Sequence, residues 1–241
     1  MSLYSSTLDL SEEAGSFLER LPLFSCLSQD QLAEIADRMR QRTFAPGVIL
    51  FHQDMPGMML YLIEDGWIRA FSIGRTGQEL TLDVFGPGDL FGVLSSLDNN
   101  YHSATAITLT RTVVWMISRT DLEAILEQYP PVTKALLGIL VKRMRAYINH
   151  AEAMTFQDVQ GRLAYEILSL AERHGHAQGD AIDIRIPLTQ GDLATMVGAT
   201  RESVNKALMA LRAQSLVTMD GTQLSVCNSS GLRNVVFERG R

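Results

Sequence analysis

The chain has 241 residues, 46% hydrophobic and 20% charged, with a formal net charge of −6. That length buries the core of one large domain or two ordinary ones, which excludes a disulfide scaffold and a disordered regulator. Cys26 and Cys227, the two cysteines, supply no disulfide framework, no CxxC zinc site and no four-cysteine iron–sulfur cluster, and read as free thiols in a reducing cytoplasm. No run approaches 18 apolar residues and no basic-then-apolar leader is present, so neither a membrane span nor a secretory signal is expected. An acidic chain looks like a poor partner for DNA, yet the charge is unevenly placed. Residues 1–156 carry 12 Lys/Arg and 18 Asp/Glu, whereas residues 157–241 carry 9 of each.

Residues 1–20 are polar and read as a loosely ordered lead-in. Ser28 with Gln31 makes a capping box ahead of Leu32, Ile35, Ala36 and Met39, a short helix. From 43 to 118 the runs YLIEDGWIRAFS, ELTLDVFG and ATAITLTRTVVWMIS are punctuated by Pro46-Gly47, Pro56-Gly57, Gly74, Gly77 and Pro87-Gly88. Alternation broken by such turns predicts an all-β roll rather than βαβ units. Asp121 to Gln128 is a short helix ended by Pro130-Pro131. In the long helix that follows, Leu137, Leu140, Met144, Tyr147, Ala151 and Met154 alternate spacings of three and four. That is an a/d seam suited to a parallel homodimer, although a buried helix in a monomer has a similar pattern. Leu136, Ile139, Val141 and Ile148 lie off the seam and can pack onto the roll.

Asp158 reads as an N-cap and hinge before a fresh amphipathic helix, Val159 to Arg173. A polar loop from Gly175 to Gly179 and a strand at Ile182–Ile186 come next. Thr189-Gln-Gly-Asp192 is a capping box opening a helix through Leu193, Ala194 and Val197. Gly198 turns the chain and Thr200 caps a second helix, Arg201 to Gln214. Small Ala194, turn Gly198, and apolar Val204 and Leu208 have helix-turn-helix spacing. Arg201, Glu202, Asn205 and Lys206 are left on the outward face of the second helix. A guanidinium there bridges O6 and N7 of guanine, and a carboxylate accepts from N4 of cytosine. Thr200, Ser203 and backbone amides suit phosphates, while Thr189 and Gln190 can clamp the backbone from the first helix. A solvated helical hairpin would share this spacing. The strand–Asp220-Gly221–strand pattern of Leu216–Val226 favours a winged helix instead.

These features resemble the cyclic-AMP receptor / fumarate-nitrate regulator (CRP/FNR) family. The resemblance spans roughly residues 21–227 and rests on FGPGDLFG (85–92), the seam helix, DVQGRLAYEILSLA (158–171) and, most specifically, GATRESVNKALMAL (198–211). It implies an α+β chain with an N-terminal double-stranded β-helix, the cyclic-nucleotide-binding-like jelly roll, over 21–129. A dimerisation helix over 130–156 and a C-terminal winged helix-turn-helix over 157–241 complete it. It implies a homodimer on a palindromic double-stranded DNA operator, with Arg201, Glu202 and Lys206 as base contacts, RNA polymerase as a partner, a cytoplasmic location and no enzymatic activity.

The sensory end departs from the family pattern. Where cyclic-nucleotide binders place a ribose-binding glutamate and a phosphate-binding arginine, this chain has Val93 and His102. Cyclic AMP in the usual mode is therefore not expected. By family analogy a cleft would gather Gly92, Val93, Leu94, Ser95, His102, Ser103 and Ala104 of the roll with Leu140, Met144 and Tyr147 of the seam. It either takes another small effector or is filled by its own side chains. Cys26 alone excludes the family's iron–sulfur cluster, and haem, which would need His52 or His102 as axial ligand, is not expected. No metal site is read at His174-Gly-His176. The competing functional reading is a nucleotide- or metabolite-binding regulatory subunit acting through protein contacts.

Overall fold

The computed structural model describes residues 12–238. Part of the expected lead-in, residues 1–11, and the last three residues of the chain lie outside them. Within the described part, residues 12–19 are not loose but form helix α1, because Ala14, Phe17 and Leu18 fall on one face and are buried in a core. The apolar spacing of three and four outweighs the polar composition there. Helix α2 (Gln29–Ala36) starts at the expected box: the Ser28 hydroxyl accepts from Gln31 N–H and the Gln31 side chain accepts from Ser28 N–H. Each such cap is worth about 1 kcal/mol.

Strands β1 (Arg40–Phe44), β2 (Ile49–Phe51), β3 (Met59–Asp65), β4 (Ile68–Ile73), β5 (Glu79–Phe85), β6 (Leu90–Phe91), β7 (Thr105–Thr108) and β8 (Thr112–Ser118) form two antiparallel sheets. Their orders are β1-β8-β3-β6 and β2-β7-β4-β5. Two runs that read as single strands are thus pairs: YLIEDGWIRAFS breaks between Asp65 and Ile68, and ATAITLTRTVVWMIS between Thr108 and Thr112. Apart from the adjacent pair β4 and β5, which lie in one sheet, consecutive strands alternate between the two sheets, in keeping with a jelly roll. Helix α3 (Val93–Asp98) follows β6, and α4 (Arg119–Gln128) leads into the 27-residue α5 (Pro130–Phe156).

The chain divides into two compact units. One is the described part of Met1–Ser72 together with Val84–Lys142; the other joins Ile73–Asp83 to the described part of Arg143–Arg241. In the first unit, Trp115 is 1% exposed and packs with Phe17, Leu18, Leu62 and Ile117, while Val132 and Leu136 of α5 complete the same core. The Trp115 Nε1–H donates to Glu64 Oε2 at 2.8 Å, so the one polar atom of this indole is satisfied.

The second unit contains α6 (Val159–His174), β9 (Gly175–Gln178), β10 (Ala181–Ile184), α7 (Gln190–Met196), α8 (Arg201–Ala213), β11 (Val217–Asp220), β12 (Gln223–Val226) and α9 (Ser229–Glu238). The Asp158 carboxylate caps α6 by accepting from Gly161 N–H at 2.8 Å, as expected. The stretch expected as a polar loop is instead strand β9. It hydrogen-bonds β10, and the wing is one sheet of order β11-β12-β10-β9. Side chains of β9 are largely exposed, so only edge pairing, and no hydrophobic alternation, makes it a strand. Helix α9 packs on α6 and buries Leu232.

Helix α5 corrects one expectation. Leu136 is buried and Ile139 packs against the first unit's core, but Val141 and Ile148 are each 53% exposed rather than packed on the roll. Among the seam residues Leu137, Met144, Tyr147 and Ala151 are exposed, whereas Leu140 and Met154 are half-buried. The exposed apolar stripe thus runs through Leu137, Val141, Met144, Ile148 and Ala151, part of a turn away from the series through Leu140, Tyr147 and Met154. Both series satisfy a heptad, and only packing distinguishes them.

In the second unit, His150 Nδ1 lies 2.5 Å from Glu166 Oε1. The hydrogen bond and charge of Glu166, with Asp83 adding to them, outweigh burial and raise the His150 pKa. A raised folded-state value means this pair stabilises the fold below the ordinary histidine value of ~6.5 and is lost as pH rises through the folded value. The expected result is a melting temperature that falls across that window, with this component absent in His150→Gln. Thermal melts of both proteins between about pH 5 and 8.5 check it.

Candidate functional site

Helix α7 begins at a capping box: Thr189 Oγ1 accepts from Asp192 N–H and donates to Asp192 Oδ2 at 2.6 Å, while Thr189 N–H donates to the same carboxylate. The Thr189 hydroxyl is thus engaged locally, and half-buried Gln190 is the remaining polar side chain of that helix start. Leu193, Ala194, Met196 and Val197 are buried. Gly198 sits at φ +59°, the left-handed conformation that makes the turn, and the position of an added Cβ lies 2.8 Å from Met154 Cε. The turn is held from α6 as well, since the Arg162 guanidinium donates to Gln157 O at 3.0 Å and to Val197 O at 3.4 Å.

Helix α8 starts at Thr200, whose Oγ accepts from Ser203 N–H at 3.2 Å and donates to Ser203 Oγ at 2.9 Å. The Ser203 hydroxyl proton therefore stays available to an outside acceptor such as a phosphate. Val204, Ala207, Leu208 and Leu211 are buried and fix the helix on its neighbours. Arg201, Glu202, Asn205 and Lys206 are exposed on the opposite face, where the sequence places them. Lys206 Nζ is 2.8 Å from Glu202 Oε1 across one turn, with both side chains more than three-quarters or about three-quarters exposed. Such a pair adds little stability, so its ions can exchange partners cheaply. The exposed face thus offers a planar bidentate donor, an acid, an amide and an ammonium within two turns, a set able to read base edges in a major groove.

The sensory residues are placed in the first unit by α3 and the loop before β7. Gly92 is the left-handed N-cap of α3, and Val93 is buried in the core. His102 is 6% exposed; its Nδ1 lies 2.9 Å from Ser95 Oγ, and its ring stacks on Phe51 with centroids 3.6 Å apart. Burial lowers the His102 pKa and favours the neutral ring. Ala104 is buried beside it, whereas Leu94 and Ser103 are exposed. Nothing in the sequence marks Phe51 itself, since an apolar ring in a strand carries no ligand-like signal. Met144 and Tyr147 belong to the second unit, where the Tyr147 hydroxyl is 3.5 Å from Asp83 Oδ2. No helix among the described residues is long and apolar enough to cross a membrane.

A jelly roll followed by a long helix and a winged helix-turn-helix defines a DNA-binding regulator with a sensor-type domain. Comparison with known proteins gives the family. Residues 41–129 match the cyclic nucleotide-binding domain and residues 161–235 the Crp-like helix-turn-helix domain. The CRP-like cAMP-activated global transcriptional regulator of Mycobacterium tuberculosis is 31% identical over 215 residues, covering 89% of this chain and 96% of that protein. The cyclic AMP receptor protein of Thermus thermophilus is 30% identical, covering 90% and 97%. Among solved structures, FixK2 from Bradyrhizobium japonicum superposes with a TM-score of 0.73 at 21% identity, over 82% of this chain and 96% of that one, a likeness of fold. The Thermus thermophilus catabolite activator protein is 28% identical with a TM-score of 0.52, over 90% and 99%. The chain belongs to the CRP/FNR family of transcriptional regulators.

Proposed function

We propose that this regulator acts as a homodimer on a palindromic duplex, each α8 entering a major groove with Arg201, Glu202, Asn205 and Lys206 toward base edges. Gln190, Thr200 and Ser203 contact phosphates, with Thr189 ordering the start of α7. The observation that carries this reading is the polarity of α8: four exposed polar or charged side chains in its first two turns, opposite four buried apolar ones. The exposed stripe Leu137, Val141, Met144, Ile148 and Ala151, flanked by Tyr147, supports the two-fold partner. Two symmetry-related α8 helices would then sit about 34 Å apart, one turn of DNA. The protein works in the cytoplasm with RNA polymerase as a further partner, a reading that membership of the CRP/FNR family supports.

The roll does not take cyclic AMP in the usual mode. The neutral His102 is committed to Ser95 and Phe51 and offers no guanidinium to a cyclic phosphate, and Val93 offers no acceptor to a ribose hydroxyl. Gly92, Leu94, Ser103 and Ala104 complete this wall, and any effector held there is less anionic than a cyclic nucleotide; neither haem nor an iron–sulfur cluster is assigned. Footprinting of the purified protein on genomic DNA, with and without cyclic AMP, tests both halves. A palindromic footprint of unchanged affinity is expected. Protection without two-fold symmetry would overturn the dimer reading, and a nanomolar cyclic AMP response by calorimetry would overturn the reading of the roll.

A further inference from the structure

Helix α8 presents two outward ridges. Arg201, Asn205 and Met209 succeed one another at i, i+4 and i+8, and Glu202 and Lys206 run alongside. Met209 is 62% exposed on that face, one turn beyond Asn205, while Leu208 and Leu211 beside it in sequence are buried. A large thioether side chain is therefore held in water on the surface of the helix that reads DNA, contributing little to the core beneath it.

Its chemistry narrows what it can meet there. A thioether carries no charge for a phosphate and no N–H or O–H donor for guanine O6 or N7. The major groove displays one apolar group, the C5-methyl of thymine. The separation also fits: eight residues of α-helix advance about 12 Å, or three to four base-pair steps of about 3.4 Å. Met209 thus lies on the same ridge as the guanine-reading Arg201, at a distance that reaches a different base pair of the same half-site.

We propose that Met209 is a specificity-determining residue that reads the C5-methyl of a thymine three to four base pairs along the groove from the Arg201 contact. This rests on the reading of α8 as the recognition helix. In consequence, the half-site carries a thymine preference that no hydrogen bond enforces. An exposed alanine at this position would be too short to enforce it, and a lysine would exchange it for a sequence-independent phosphate contact and a steeper salt dependence.

Uracil scanning tests it, because deoxyuridine differs from thymidine only by the methyl group. Each thymine of the footprinted operator is replaced singly by deoxyuridine, and affinity is measured for the wild type, Met209→Ala and Arg201→Ala. At one thymine per half-site, uracil is expected to weaken the wild type roughly three- to tenfold. The same replacement should leave Met209→Ala unchanged, and Met209→Ala on the intact operator should match the wild type on the uracil operator. Equal uracil profiles for wild type and Met209→Ala, with Arg201→Ala losing specific binding, would overturn this inference alone. Retention of full specific binding by Arg201→Ala would overturn the reading of α8 on which it rests. Met209 is exposed, and unaltered melting of Met209→Ala confirms that any loss concerns recognition.

Discussion

Replacing Arg201 by alanine is expected to weaken discrimination of the operator severely while leaving the fold intact. A bidentate arginine–guanine contact is worth about 1–3 kcal/mol of discrimination, so an operator with two half-sites should lose about 2–6 kcal/mol. At about 1.4 kcal/mol per tenfold, that is a weakening between roughly thirtyfold and ten-thousandfold. The side chain is exposed and supports no buried contact of α8, so thermal stability and oligomeric state should not move. Lysine should not rescue it, because an ammonium lacks the planar fork. Titration against operator and scrambled duplexes at fixed salt measures the effect. Equal losses on both duplexes would show that Arg201 contacts phosphate and not a base. The neutral charge balance of residues 157–241, against an acidic remainder, should sharpen the contrast, since a weak general attraction to DNA would leave more of the preference to base contacts.

The largest stability loss is expected from Trp115→Ala. Trp115 is 1% exposed in the core of the first unit, with Phe17 stacked at 6.4 Å and its Nε1–H on Glu64. Truncation removes the indole's packing and leaves a cavity, at a cost of about 3–5 kcal/mol. Glu64 would lose one donor and keep Gln41, whose Nε2 donates to it at 2.8 Å. Trp115→Phe, which retains most of the volume, should cost about 1–2 kcal/mol, mainly the lost hydrogen bond. Urea unfolding followed by far-ultraviolet circular dichroism separates the two. Equal effects of both substitutions would mean that the hydrogen bond to Glu64, and not packing, dominates at this position.

Much of the recognition element was legible in the sequence because its determinants are local. Thr189 with Asp192, Gly198, Thr200 and the apolar spacing of Val204 and Leu208 act within a few residues of one another, and each forms the cap, turn or buried face that its chemistry dictates. The capping box at Ser28 and the N-cap at Asp158 were equally readable. The outward placement of Arg201, Glu202, Asn205 and Lys206 follows from that local geometry, since the buried face of a helix determines the exposed one. The departures Val93 and His102 were also visible as residue types.

Tertiary structure alone decided the rest. Strand β9 exists because β10 supplies its hydrogen bonds, a partner that its own exposed side chains do not announce. Phe51 stacks on His102 across the roll, bringing together positions 51 residues apart, and thereby turns a histidine that looked like a candidate ligand into a buried neutral ring. On α5, two interleaved heptad series compete in the sequence; burial of Leu136 and Ile139 leaves Leu137, Val141, Met144, Ile148 and Ala151 as the exposed one. Thus the sequence determined by itself the second helix of the helix-turn-helix and its outward polar face, which depend on i to i+4 relations. The filling of the sensor wall and the face of the long helix left open to a partner depend on contacts between segments far apart in the chain, and only packing chooses among such contacts.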